Sequence, residues 1–192
     1  MQMRHLPGTN LPIENYDRHA VEQVLRSVFS LTGGIFLSQL AELTGVGTAT
    51  LQNWVKRGYV SSPVDRKYTM RQTTRIIHIA LLRQTMPMES IVDLLSSINN
   101  NLADESDDII DDSRLYVYFC DILLHLPGEM FFNDEELIGL IRERTADFEL
   151  EDKKHRECLI RVLAIMVQAY GASYLSAQIK TELRLLKEGD YL

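Results

Sequence analysis

The chain has 192 residues, 45% hydrophobic and 24% charged, which excludes general disorder and allows one large domain or two small ones. Its 20 Lys and Arg against 27 Asp and Glu give a net charge of -7, the wrong sign for a nucleic-acid binder if the charge were evenly spread. It is not evenly spread: residues 1–101 carry 10 basic and 7 acidic side chains, net +3, and residues 102–192 carry 10 and 20, net -10.

In chain order, Val21, Val24, Leu25, Val28 and Leu31 recur at helical spacing and Gly33-Gly34 supplies a stop, which predicts a helix over 15–31. A short helix over 37–44 turns Leu37, Leu40, Ala41 and Leu43 inward. Gly45-Val46-Gly47 makes a tight turn with Gly45 left-handed, and Thr48 or Gly47 opens the next helix, which Gly58 closes. The stretch 59–68 contains Pro63 and alternates loosely, as an extended turn or a two-stranded wing does. Helices over 69–84 and 88–98 follow.

Asn99-Asn100-Asn101 and the acids Asp104, Glu105, Asp107, Asp108, Asp111 and Asp112 then mark a seam, placed at residue 101 and read as a solvated linker running into helix N-terminal acids. Beyond it every segment reads as helix: 111–126, 134–147 and 152–187, the last broken near Gly171. In that last helix Leu159, Leu163, Met166 and Tyr170 form one stripe, yet Ile160, Val162, Ile165 and Val167 leave little polar face. Such a helix is central in a bundle or shared with another subunit.

The nearly apolar run 159–167 is interrupted by Arg161 and falls short of the ~18 residues a bilayer span needs, so no membrane span is expected. The N-terminus carries no apolar signal-peptide core, and the cytoplasm is the expected compartment. Cys120 and Cys158 lie in apolar helical patterns and read as reduced, buried thiols. No phosphate loop, nucleophile elbow or metal-ligand spacing is visible, so neither an enzyme activity, a cofactor nor a metal is expected.

The chemistry concentrates in GVGTATLQNWVKRGYV, residues 45–60. A period of 3.6 puts Leu51, Trp54 and Val55 on the inner face of the helix over 48–57, and Ala49, Gln52, Asn53 and Lys56 on the outer face. Gln and Asn can pair bidentately with the adenine edge, and Ala49 or Thr50 can touch a thymine methyl. Lys56 and Arg57 suit phosphates, and Thr48 lies at the helix N-terminus, whose free N–H groups suit them too. Residues 56–83 hold seven Lys and Arg, Lys67 and Arg83 among them, and one acid, Asp65, net +6.

On these residues the segment 37–95 resembles the DNA-binding domain of the MerR superfamily. Leu37-Ser-Gln-Leu-Ala41 matches its first helix, Thr44-Gly-Val46 its turn and Thr50-Leu-Gln-Asn-Trp54 its recognition helix. Gly58-Tyr-Val60 enters the wing, Arg66-Lys-Tyr68 closes it, and Met86-Pro-Met-Glu-Ser-Ile91 resembles the start of the fourth helix. Asn53-Trp-Val-Lys-Arg-Gly58, followed by an acidic helical half, is more particularly similar to a bacterial family known as domain of unknown function 1836. Gln52 and Asn53 depart from the Arg and aromatic residue usual in the MerR pattern, and no long dimer helix follows the fourth helix directly.

The resemblance implies a mainly α protein: a winged helix-turn-helix in residues 1–101, then an acidic all-α bundle in 102–192 serving dimerisation, an effector or a partner. It places wing contacts at Arg66, Lys67 and Tyr68, with Arg71 and Arg75 along the adjacent DNA backbone. The expected function is sequence-specific transcription regulation by a homodimer on a pseudo-palindromic double-stranded site. The rival is a protein-interaction module on the same fold. A small apolar effector of the bundle would rest on Tyr116, Tyr118, Phe119, Phe131, Phe132, Met166, Tyr170 and Tyr174.

Overall fold

Val21, Leu25 and Phe29 stand four residues apart, so a helix turns all three to one side, and they are the buried residues of α1 (Arg18–Ser30). The computed structural model describes residues 4–13, 17–30, 33–100, 108–126, 134–150 and 152–188. Among them are eight helices and two small ribbons of two strands, so the protein is mainly α.

The chain opens on a hairpin that periodicity does not predict: β1 (Arg4–His5) pairs antiparallel with β2 (Pro12–Ile13). Leu6 and Ile13 sink into the core, the Asn10 N–H donates to the Leu43 carbonyl at 3.0 Å, and the Tyr116 hydroxyl donates to the Pro7 carbonyl at 2.6 Å. Gly8 sits in the turn at φ 75°, where an added Cβ would stand 2.8 Å from Leu81 Cγ. Gly8→Ala is therefore expected to lower stability by about 1–3 kcal/mol, read as a fall in Tm, because it combines a left-handed backbone with an overpacked contact.

After α1, strand β3 (Ile35–Phe36) leads into α2 (Leu37–Thr44), which buries Leu40 and Leu43 and ends at Gly45, left-handed at φ 69° as its position predicts. Gly47 caps α3 (Thr48–Lys56), which buries Leu51 and Trp54. The chain then returns through β4 (Lys67–Tyr68), antiparallel to β3. Next come α4 (Met70–Leu82) and α5 (Met88–Asn99), close to the predicted ranges.

The remaining helices are α6 (Asp112–His125), α7 (Asp134–Arg144) and α8 (Lys153–Glu188). Helix α8 does not break at Gly171. A glycine in a helix interior costs only about 1 kcal/mol, which burial of Leu159, Leu163, Met166 and Val167 in the same helix outweighs. Nor is α8 the most enclosed helix: α6 buries Leu115, Tyr116, Val117, Tyr118, Phe119 and Ile122 around its circumference. With Arg161 included, α8 also holds an 18-residue window of mean hydropathy 1.5, apolar and long enough to cross a membrane by length and composition alone, with 44% of it buried inside the fold.

The core does not stop at the seam. Helix α4 packs on α6, α5 on α8 and α1 on α6, and buried side chains from Leu6 to Ala169 form one cluster. Residue 101 itself lies outside the described residues, but the helices on either side of it share that core.

Candidate nucleic-acid interface

With Leu51 and Trp54 anchoring α3 from below, its opposite face is open: Thr48, Ala49, Gln52, Asn53, Lys56 and Arg57 are exposed and Thr50 is half-buried. The outward amides that the 3.6-residue period predicts are thus in solvent. No side chain caps the α3 N-terminus, which leaves its positive dipole end available to an anion.

The stretch 59–68, the expected wing, closes on a two-residue turn. Val64 bridges Lys67, the Lys67 N–H donates to the Val64 carbonyl at 2.8 Å, and the two residues between them, Asp65 and Arg66, have φ of 50° and 63°. Positive φ at both centres is the type I′ hairpin turn, which favours Asn-Gly and costs a residue with Cβ about 1–2 kcal/mol. Arg66 is held exposed at the tip despite that cost. Arg66→Gly is accordingly expected to leave Tm unchanged or raised and, if this face binds DNA as proposed below, to lower affinity for every sequence and shrink the salt slope by about one. Denaturation and salt-titrated binding on the same variant check both halves.

Lys67 is half-buried, its Nζ 5.5 Å from the Phe36 ring centroid. Tyr68 is 3% exposed, so it belongs to the floor of the site and not to its contact surface, a correction to the wing assignment. A groove of about 670 Å³ runs between α3 and the wing, lined by Gln52, Lys56 and Arg66 among apolar Phe36, Leu37, Val55 and Pro63, with no carboxylate. A smaller hollow of about 230 Å³ lies on the other flank of α3, beside Asn53, Arg57 and Arg83. There the Arg83 guanidinium stands 5.5 Å from the Trp54 ring centroid. Arg83, just past the end of α4, belongs to the basic segment of the sequence, and folding sets it against Trp54 and beside Asn53.

Arg71 and Arg75 do not join this face. Arg75 is 3% exposed and grips Asp112 in a fork, Nε to Oδ1 and Nη2 to Oδ2 at 2.7 Å each. Arg71 pairs with Asp108 and lies 3.6 Å from Asp111. The Asp108 and Asp112 side chains are 2% and 1% exposed, so Asp108 is not part of a solvated linker, while Asp111 and Asp112 are the N-terminal acids of α6 that their position predicts; Asp104, Glu105 and Asp107 lie outside the described residues. Burial alone would raise the Asp112 carboxyl, but contacts with His78 and Arg75 overcome it and hold it below the usual carboxylate range. Of the two, Arg75 is in direct hydrogen-bond contact, whereas His78 Nδ1 is 3.8 Å away. Burial pushes His78 below its ordinary value. Asp108, Asp111 and Asp112 therefore neutralise two arginines of α4, and among the described residues the outer face of α3 and Arg66 stay exposed.

Gln72 was missed although Thr69-x-x-Gln72 has the capping-box spacing. The Thr69 N–H donates to Gln72 Oε1 at 2.9 Å and the Gln72 N–H to Thr69 Oγ1 at 3.2 Å. Its Nε2 then donates to the Ser61 and Ser62 carbonyls at 3.2 and 2.9 Å, tying the wing base to α4. Gln72→Ala should cost about 1–2 kcal/mol in urea unfolding.

Most of the described side chains that an effector of the bundle would rest on are packed in the core. Tyr116, Phe119 and Met166 are buried, with Phe119 edge-on to Tyr170 at 5.8 Å and Tyr116 5.7 Å from His78. Tyr174 is exposed, and Phe131 and Phe132 lie outside the described residues.

Among known proteins, the chain is 30% identical over 129 residues to the uncharacterized protein YkrK of Bacillus subtilis (strain 168), a match that covers 62% of this chain and 52% of the relative. The chain thus spans about half the length of that relative. No solved structure matches. A model of the family described as domain of unknown function, DUF1836, matches residues 13–119, from β2 through the wing and past residue 101 into α6. The continuous core joining α1, α4 and α6 and the match that spans it lead to one statement of kinship: the chain belongs to the DUF1836 family.

Proposed function

We propose that the protein is a sequence-specific DNA-binding transcription regulator whose α2–turn–α3 unit and wing form a MerR-like winged helix-turn-helix. The observation that carries this reading is the placement of cations on both flanks of one exposed amide face. Lys56 and Arg66 stand on the wing side of Gln52, and Arg57 and Arg83 on the α4 side of Asn53. A helix lying in a major groove has a phosphate backbone on each side of it. Gln52 and Asn53 would then read base edges, Thr48 and Ala49 would approach a phosphate and a thymine methyl, and the flanking cations would hold the register. Two copies would meet successive major grooves about 34 Å apart, which requires a pseudo-palindromic site.

The test uses the full chain, because α4 and α5 share their core with α6 and α8. Fluorescence anisotropy with a random-sequence duplex at low salt should show binding that weakens steeply as salt rises. Absence of binding at low salt would overturn the reading.

A second reading is favoured by one feature: Phe36, which lines the groove, is 47% exposed, and Val64, next in sequence to the groove's Pro63, is 68% exposed. An apolar rim of this kind suits a protein segment better than a phosphate backbone. Phe36→Ser should leave DNA affinity intact under the first reading, and abolish partner capture with DNA binding absent under the second.

A further inference from the structure

Helix α8 outruns the body it packs on. From residue 174 onward its apolar side chains are exposed: Tyr174 57%, Leu175 40%, Ile179 61%, Leu183 52% and Leu186 55%. At 100° per residue, Leu175, Ile179, Leu183 and Leu186 fall within one stripe, on the side that also carries Arg161, Ile165 and Ala172 further back. Those three are exposed, whereas Val162, Leu163, Met166 and Val167 on the other sides are buried. The stripe therefore faces away from the protein's own core, and a straight helix cannot turn it inward. Among the described residues nothing covers it.

The charges at its borders say what fits. Glu182 lies on one edge of the stripe and Lys187 on the other, both exposed. In a parallel two-helix coil, a residue at one edge meets the opposite edge of the partner five residues further along. That is the Glu182 to Lys187 interval. In an antiparallel pair, like edges meet, and the edge carrying Lys180 and Lys187 would face itself.

We propose that the outer part of α8, residues 175–187, is the homodimer interface, pairing in parallel with the same segment of a second copy through Ile179, Leu183 and Leu186 and through reciprocal Glu182–Lys187 ion pairs. This extends the two-copy arrangement proposed above, but its test reads mass and not DNA, so either can fail alone. It also places dimerisation at the far end of the chain from α5, the helix after which the sequence shows no dimer helix.

Sedimentation equilibrium of the full chain should give twice the 22.1 kDa monomer mass. Ile179→Glu with Leu183→Glu should give monomer with unchanged circular dichroism, since both positions are exposed and neither supports the core. Glu182→Lys and Lys187→Glu should each weaken the dimer about tenfold or more, and the double exchange should restore it. Leu186→Cys under oxidation should form a disulfide-linked dimer that the wild type, with Cys120 and Cys158 alone, does not form. A monomeric wild type, or a dimer indifferent to Ile179 and Leu183, overturns the interface. A dimer that both Glu substitutions break, but in which the double charge exchange fails and Leu186→Cys does not cross-link, overturns the parallel arrangement.

Discussion

Replacing Asp112 by alanine is expected to remove about 3–5 kcal/mol of stability, the usual cost of stripping one partner from a buried ion pair. Arg75 is 4% exposed in its side chain and Asp112 1%, so without that carboxylate the buried guanidinium loses both 2.7 Å contacts and keeps, of its charged partners, the more distant Asp108 at 3.5 Å. Because domains of this kind are stable by only about 5–15 kcal/mol, the loss should be visible as partial unfolding at 37 °C. The converse substitution separates pairing from packing: Arg75→Met with Asp112→Leu removes both charges and should recover most of the loss. Chemical denaturation of the single and double variants measures both.

The same cluster sets the acid response. His78 is held below its ordinary value of 6.5 by burial, so on acidification the unfolded chain takes up a proton that the folded chain refuses, and stability falls below about 6.5. Asp112, held below 3.8, binds its proton in the unfolded state first and removes further stability as pH falls through that region. Both signs agree: stability declines toward acid in two stages, and His78→Phe should erase the first of them.

The second large effect concerns recognition. Gln52→Ala and Asn53→Ala should each cost about 1–3 kcal/mol on a selected site, one bidentate base contact apiece, with little change on random duplex. Both side chains are exposed, so Tm should not move, and a loss of affinity cannot be assigned to unfolding. Lys56→Ala and Arg83→Ala should act the other way, weakening all sequences alike.

Local rules carried a large part of this molecule. The amphipathic helices α1 to α5 follow apolar periodicity, Gly45 is left-handed because a helix ends there, and the outward set Ala49, Gln52, Asn53 and Lys56 follows from the placement of Leu51 and Trp54 one turn apart. The failures have a common cause in contacts distant along the chain. A charge count sees Arg71 and Arg75 as free cations, yet their partners Asp108 and Asp112 approach only when α4 meets α6. The same count includes Arg83 but cannot show that it stacks on Trp54, a residue 29 positions earlier. The opening hairpin has two residues in each strand, too few to show alternation, and is held by Leu43 and Tyr116 from other elements. Gly171 suggests a break because its penalty is local, while the packing that outweighs it is not.

The central claim is that the outer face of α3 reads DNA, and selection of bound sequences from a random duplex pool by the full chain tests it most directly. The account predicts enrichment of two related half-sites about one helical turn apart, with the half-site preference lost when Gln52 and Asn53 are both alanine. A pool that emerges no different from the input, or a motif that the double-alanine protein selects equally well, would contradict it.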